Sequence, residues 1–223
     1  MALTTDGDDP PVPQDTQIEW PRRTARASAT RQSILDAAND LFVGQGYVRT
    51  TVPAIAELAG VSRATVFNSV GTKAEVLRAC YDAAIVGDDE PLPLYARPEM
   101  LAMLAEPDPR LSLDLYAAII CGIGARVSRL VEVLRAAAAA EDDIRIMWHQ
   151  IQSERLYGAN RFVQTLAGKT PLRPGLTQPK AADLVWTLID NSLYHRLVLE
   201  RGWPPAEFQQ WLSSTFIQQL LPH

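Results

Sequence analysis

Two cysteines, three histidines and three lysines in 223 residues are the scarcities of this chain, and each excludes something. Cys80 and Cys121 stand 41 positions apart, too few and too distant for a disulfide framework or a cysteine metal cluster, which implies a reducing, cytoplasmic setting. His149, His195 and His223 have no second metal ligand and no nucleophile at an interpretable spacing. There is no Gly-rich phosphate loop ending in Lys-Ser/Thr, no two-histidine metal helix and no Gly-x-Ser-x-Gly elbow. Gly122-Ile123-Gly124 lacks both a third glycine and a preceding strand. The sequence therefore predicts no enzyme, no cofactor and no metal. No apolar run approaches the ~18–20 residues of a membrane span. The opening MALTTDGDDPPVPQDTQIEW lacks the basic and apolar regions of a secretory signal. No stretch alternates with the period 2 of a strand, and there is no internal repeat.

What is present is charge, unevenly placed. The net charge is −5, but residues 1–19 carry five acids and no base, residues 20–85 eight bases and five acids, and residues 86–223 thirteen bases and sixteen acids. A mildly basic segment thus lies inside an acidic chain, so partners must be argued by segment.

Up to about residue 27 the proline-rich, acidic chain reads as a tail. A helical pattern begins at Thr30 with Ile34, Leu35, Ala38, Leu41 and Phe42 on one stripe, and Gly44-Gln45-Gly46 is its expected end. Thr51 caps a short helix over 52–59 with Pro53 in its first turn, and Gly60 stops it. Ser62 caps a third helix over 63–69, and Thr72 a fourth carrying Val76, Leu77, Cys80, Tyr81 and Ala84. After an acidic, Pro-rich linker at 87–93 the pattern stays helical over about 97–105, 109–139, 141–167, 180–200 and 206–220. The predicted fold is all-α. A three-helix helix-turn-helix unit spans 28–87, a helical ligand-binding and dimerisation unit spans 95–223, and the helices number about nine in all.

The second and third helices, joined by Ala59-Gly60-Val61-Ser62, carry the functional signal. Ile55, Ala56 and Ala59 face inward, Val61 fills the angle, and Val66 and Val70 anchor the second member. Arg63, Ala64, Phe67 and Asn68 are left on the opposite face, which suits a major groove. Arg63 can reach guanine O6 and N7 bidentately, Asn68 can pair with adenine N6 and N7, and Ala64 can touch a thymine methyl. Helix pairs with a tight turn also occur in proteins that bind no DNA, and the pair alone does not separate these readings.

The surrounding residues do. Arg31-x-x-Ile34-Leu35-x-Ala37-Ala38-x-x-Leu41-Phe42, Gly46-Tyr47-x-x-Thr50-Thr51-Val52-x-x-Ile55-Ala56-x-x-Ala59-Gly60-Val61-Ser62-x-x-Thr65-Val66 and Lys73-x-x-x-Leu77 together resemble, without a gap, the N-terminal domain of TetR-type (tetracycline-repressor-like) transcriptional regulators. The resemblance covers about 31–77 and implies a homodimer that binds a palindromic operator in double-stranded DNA and is released by a small-molecule effector. It implies that Arg63, Ala64 and Asn68 meet bases, and that Thr51, Thr65, Lys73 and the position of Phe67 lie against the DNA backbone. Three positions depart from the family's pattern: Phe67 replaces a common Tyr and has no hydroxyl to donate, Ser69 replaces His or Tyr, and Val70 replaces Phe. These departures leave a second reading, a helical ligand-binding or interaction protein with weakened DNA affinity. Arg22, Arg23 and Arg26 precede the first helix and either follow DNA phosphates and the minor groove or form a solvated basic tail.

In the C-terminal region Arg155 interrupts the apolar stripe of Ile144, Met147, Trp148, Ile151, Ala159, Phe162 and Leu166. A buried unpaired guanidinium is costly, so Arg155 needs an acidic partner, solvent, or an anionic or polar ligand. Tyr116, Cys121 and Trp148 lie on neighbouring apolar faces and line either a ligand pocket or the core. Helix 180–200 is apolar around most of its circumference, a surplus that fits a dimer interface including Leu188, Asn191, His195, Trp211 and Phe216. In the resembled family the last two helices of each subunit form such a four-helix contact. Asn191 and His195, four positions apart, either bond across the dimer axis or are satisfied within their own chain.

Overall fold

The computed structural model describes residues 25–88 and 92–222, all of whose regular structure is helical. Helix α1 (Ala25–Arg49) leads into α2 (Val52–Leu58), α3 (Arg63–Ser69) and α4 (Lys73–Val86). A 3₁₀ turn at Leu94–Ala96 precedes α5 (Pro98–Ala105), α6 (Pro109–Ala138) and α7 (Asp142–Lys169). The chain ends with α8 (Gln178–Leu188), α9 (Asn191–Tyr194), a π-helical turn (His195–Glu200) and α10 (Pro205–Leu220).

The short helices are bounded by their caps, as the sequence requires. Thr51 Oγ1 accepts the Ala54 N–H at 3.3 Å and Ser62 Oγ the Thr65 N–H at 3.0 Å. Thr72 and Glu75 close a reciprocal capping box at the start of α4. Gly87, at φ 95°, ends α4 in the left-handed conformation open to glycine.

Two expected boundaries shift. Gly44 stays helical, and the break in α1 falls at Gly46 (φ 79°, ψ 171°). The expected continuous helix over 180–200 is interrupted after Leu188. Asp190 turns its carboxylate onto the Ser192 N–H at 2.8 Å and so starts α9 as a cap. A side chain that satisfies a backbone donor two residues on competes with helix continuation.

Two apolar clusters are threaded by α6. The first joins Ile34, Phe42, Ile55, Val66 and Leu77 of the N-terminal helices to Val127, Leu130 and Leu134 of α6 and Ile151 of α7. The second packs Leu113 and Tyr116 of α6 against Phe162, Val185, Phe208 and Phe216. Burying these faces supplies most of the helical stability, since seven-residue helices are marginal on their own.

Where α6 crosses α9, Gly124 allows the close approach. A Cβ there would lie 2.7–2.9 Å from Cγ, Cδ2 and Cβ of the buried Tyr194. Gly124→Ala gains up to ~1 kcal/mol of helix propensity. It also overpacks a ring that cannot swing aside, at a cost of ~1–3 kcal/mol. Thermal denaturation should show a net loss; a raised Tm would refute the close-contact argument.

Candidate nucleic-acid interface and cavity

On α3 the exposed residues are Arg63, Ala64, Phe67 and Asn68, while Val66 is fully buried beneath them. Arg63 and Asn68 have no hydrogen bond or ion pair among the described residues, so their donors and acceptors are available to a partner. Arg31 of α1 fixes the other end of the helix by donating from Nη1 to the Ser69 carbonyl at 3.0 Å. The reader helix is therefore held from behind and presented outward.

Around it the hydroxyls divide their work. Thr51 caps α2 through a lone pair, which does not use its O–H. The Thr65 hydroxyl lies 2.8 Å from Ser62 Oγ, so one of the two protons is spent inside the cap. Lys73 Nζ donates to the Tyr47 carbonyl at 3.1 Å and sits 3.9 Å from the centre of that tyrosine's ring. Its ammonium is thereby positioned with further donors to spare. Glu75 is held below the usual carboxylate range by the backbone N–H and hydroxyl of Thr72. Phe67 is 53 % exposed and is the one apolar aromatic side chain on this face. It can touch DNA only by van der Waals contact, not as a hydrogen-bond donor to a phosphate. Arg26 is exposed on the first turn of α1; Arg22 and Arg23 lie outside the described residues.

A cavity of about 1790 Å³ opens between α1, α4, α5, α6 and α7. Its wall is largely apolar, with Met103, Leu104, Ile119, Ile120, Met147 and Phe162, and Gln32, Tyr95, Ile146 and Tyr157 form an exposed rim. Helix phase alone does not separate the four candidate pocket residues, and the structure does. Tyr116 and Arg155 line the cavity, whereas Cys121 and Trp148 do not. Cys121 is turned towards α10, where its thiol meets the Pro205 carbonyl at 3.4 Å. Trp148 packs against the first cluster with the Arg135 guanidinium 5.7 Å from its ring centre. Both belong to the packing of the protein rather than to the cavity wall.

Tyr116 stacks on Phe162 with ring centres 3.9 Å apart. Tyr81 of α4, which the sequence places on a core stripe, also lines the cavity. Burial pushes the Tyr81 hydroxyl up to about 12, against the opposing pull of Arg155. Burial likewise raises Tyr116. Arg155 has the acidic partner its position demands: Asp190 Oδ2 lies 3.6 Å from Nη1. The guanidinium also donates to Gln152 Oε1 at 2.5 Å and to the Trp186 carbonyl at 2.8 Å. Burial lowers the Arg155 pKa while Asp190 opposes the shift. Burial acts to raise Asp190, but the Ser192 N–H, Arg155 and Arg135 outweigh it and hold the carboxylate below its ordinary range.

Ion-paired arginines hold α4 to α7 and fix the residue just beyond the end of α4. Arg78 donates to both oxygens of Asp82 at 2.8 and 2.9 Å and to Glu154 of α7 at 2.8 Å. Arg97 grips Asp88 through two hydrogen bonds of 2.7 and 2.6 Å. Sequence patterning misses Tyr81, Arg78 and Asp190. Of these only Asp190 leaves a trace, as an acid within an otherwise apolar stretch when an arginine elsewhere needs a partner.

The residues expected at a dimer interface separate as well. Phe216 is fully buried and lies 5.6 Å from the Tyr116 ring, and Asn191 is 7 % exposed. Both close this chain's own interior and offer no surface to a second copy. Leu188, His195 and Trp211 are half-buried. His195 Nε2 is 3.5 Å from Glu200 Oε1, and its Nδ1 is buried without a hydrogen-bond partner.

Among the described residues no helix is long and apolar enough to cross a membrane, and no cluster of His, Cys, Asp and Glu could hold a metal ion.

Residues 34–80 match the family model of bacterial regulatory proteins, tetR family. The HTH-type transcriptional regulator TtgR of Pseudomonas putida is 32 % identical over 191 residues, covering 80 % of this chain and 85 % of TtgR. Among solved structures, NalD, the secondary repressor of the MexAB-OprM multidrug efflux pump in Pseudomonas aeruginosa, shares the fold at a TM-score of 0.67 and 21 % identity. That match covers 89 % of this chain and 98 % of NalD. The SmeT–triclosan complex aligns at a TM-score of 0.61 and 21 % identity, over 86 % of this chain and 92 % of that one. A relative of TtgR's identity and coverage, together with a helix-turn-helix whose reader face is exposed, establishes that the chain belongs to the TetR family of bacterial transcriptional regulators.

Proposed function

We propose that this regulator is a homodimeric repressor that occupies a palindromic operator and leaves it when a small molecule fills the cavity. In this reading residues 28–87 form the reader, and residues 95–223 form the effector-binding and dimerisation unit. Arg63, Ala64 and Asn68 meet bases, Thr51, Thr65 and Lys73 meet phosphates, Phe67 lies against the backbone, and Arg22, Arg23 and Arg26 extend the contact along the duplex. The observation that carries it is the exposed, internally unpartnered Arg63 and Asn68 on a helix braced from behind by Arg31. The effector half is supported by the cavity walled by α4, the helix that follows the reader, and by triclosan bound to the relative SmeT. The dimer would use the half-buried Leu188, His195 and Trp211, with two reader helices about one DNA turn apart (~34–36 Å) or a small multiple of it.

Selection from random duplex DNA, followed by gel-shift titration over salt, tests the proposal. The expected product is an inverted repeat bound at a Kd on the order of 10⁻⁸ M or tighter. Affinity should fall steeply with salt, because phosphate contacts release counterions. The exposed Phe67, which has no hydroxyl for a phosphate, favours a second reading in which the chain binds ligands but has weakened DNA affinity. No binding even at low salt would support that reading instead.

A further inference from the structure

The inner end of the cavity differs in chemistry from its walls. There Arg155, with only 12 % of its side chain exposed, borders the space together with the buried Tyr81 and Tyr116. A guanidinium carries five N–H donors, and the two hydrogen bonds to Gln152 and Trp186 use one on each terminal nitrogen. Its carboxylate partner is shared: Asp190 also faces Arg135 at 3.5 Å and gives one oxygen to the Ser192 N–H. Arg135 has a second acid, Glu132, at 3.7 Å, whereas Arg155 has Asp190 at 3.6 Å as its ion-pair partner.

The carboxylates nearer the mouth are engaged with other groups. Glu154 and Asp82 are both committed to Arg78, Asp88 to Arg97, and Glu75 to Thr72. Asp143 lines the exposed rim, where Arg161 also stands. What the buried end offers is therefore N–H donors: Nε and the second N–H of Nη2 of Arg155 make no hydrogen bond among the described residues, and Arg155 borders a space whose wall is largely Met, Ile, Leu and Phe side chains.

We infer that the effector of this cavity is an apolar organic acid, its body against Ile119, Ile120 and Met147 and its carboxylate on Arg155. The inference rests on the effector reading of the cavity and adds the ligand's charge and orientation. A carboxylate is the complement to planar N–H donors, and in a dry site such charge-assisted bonds are the strong ones. An ammonium at the same end would meet donors with donors, and a neutral head would accept fewer and weaker hydrogen bonds from the guanidinium than a carboxylate does.

The test uses three probes with one ring system and different heads: 2-naphthoate, 2-naphthol and 2-naphthylmethylammonium, titrated calorimetrically into the full-length protein at neutral pH. Naphthoate should bind tightest, by roughly tenfold or more over naphthol, the discrimination expected of hydrogen bonds to a charged group. Arg155→Gln should bring naphthoate down to the level of naphthol and leave naphthol unchanged. Arg155→Lys, which keeps the charge without the planar fork, should retain part of the preference and serves if the glutamine variant does not fold.

Equal binding of all three probes, or a preference for the ammonium, overturns the acid assignment while leaving an effector cavity in place. Proportional loss of every probe in a folded Arg155→Gln or Arg155→Lys protein overturns it too, since Arg155 then merely supports the wall. Failure of all three to bind the wild-type protein removes the effector reading and this inference together.

Discussion

Arg63→Ala will remove discrimination at one base pair in each half of the operator and leave weak, salt-sensitive binding. A bidentate arginine–guanine contact is worth ~1–3 kcal/mol, and two subunits make it twice, so operator affinity should fall by roughly 30- to 10⁴-fold. The fold should not suffer. Arg63 is exposed and makes no contact that the structure would miss, and surface changes of this kind stay within about ±0.5 kcal/mol. Arg31 provides the contrast: its bond to the Ser69 carbonyl braces the reader, so its loss should move stability and binding together. Fluorescence anisotropy with the selected operator and with single-base variants at each position measures the effect. The variant should lose preference at one position only and bind all other sequences as the wild type binds random DNA. Preserved preference at every position would exclude Arg63 as a base reader.

The parts of this molecule legible in its sequence are those that local chemistry decides. Thr51, Ser62 and Thr72 announce helix starts because a side-chain oxygen three residues before an N–H can bond nowhere better, and all three caps form. The reader face follows from helix phase once Val66 is assigned inward. Where long-range packing decides, the sequence is less informative. Cys121 and Tyr116 are five positions apart on α6, and both are apolar-facing. Only the position of α10 turns one towards core and leaves the other on the cavity. Phe216 looks like interface surplus until Tyr116 is found beneath it. The break at Asp190 is hidden because an aspartate in an apolar stretch reads as a blemish in a helix. It becomes a cap only when Arg155 and Arg135 are seen to hold its charge there. Arg155 itself is conspicuous because burying a guanidinium always demands an explanation, and the structure supplies the acid and the space beside it.

Simultaneous Arg78→Ala and Arg126→Ala will uncouple effector from operator while leaving each site able to bind. Helix α4 follows the reader directly, lines the cavity with Tyr81, and is gripped from the C-terminal helices at two points. At mid-helix, Arg78 bridges to Glu154, the residue before Arg155 on α7. At the end, Arg126 of α6 donates to the Ala84 and Ile85 carbonyls at 2.8 and 2.9 Å, two last-turn acceptors without a helical partner. A ligand that parts α4 from α6 and α7 acts on these same contacts. Without them α4 can move whether or not the cavity is filled, so the two states no longer differ in ligand affinity, and only that difference shifts an equilibrium. Coupling between sites is typically 5- to 150-fold, and in the double variant it should fall to about twofold or less. Partly exposed arginine contacts contribute only ~0–1 kcal/mol each, so the protein should remain folded with a modestly lower Tm. Coupling is reciprocal, which gives two independent readings of one quantity: operator affinity with and without effector, and effector affinity with and without operator. Both ratios must collapse together. A variant that binds each partner normally and still releases DNA on effector addition would show that the signal leaves the cavity by another helix.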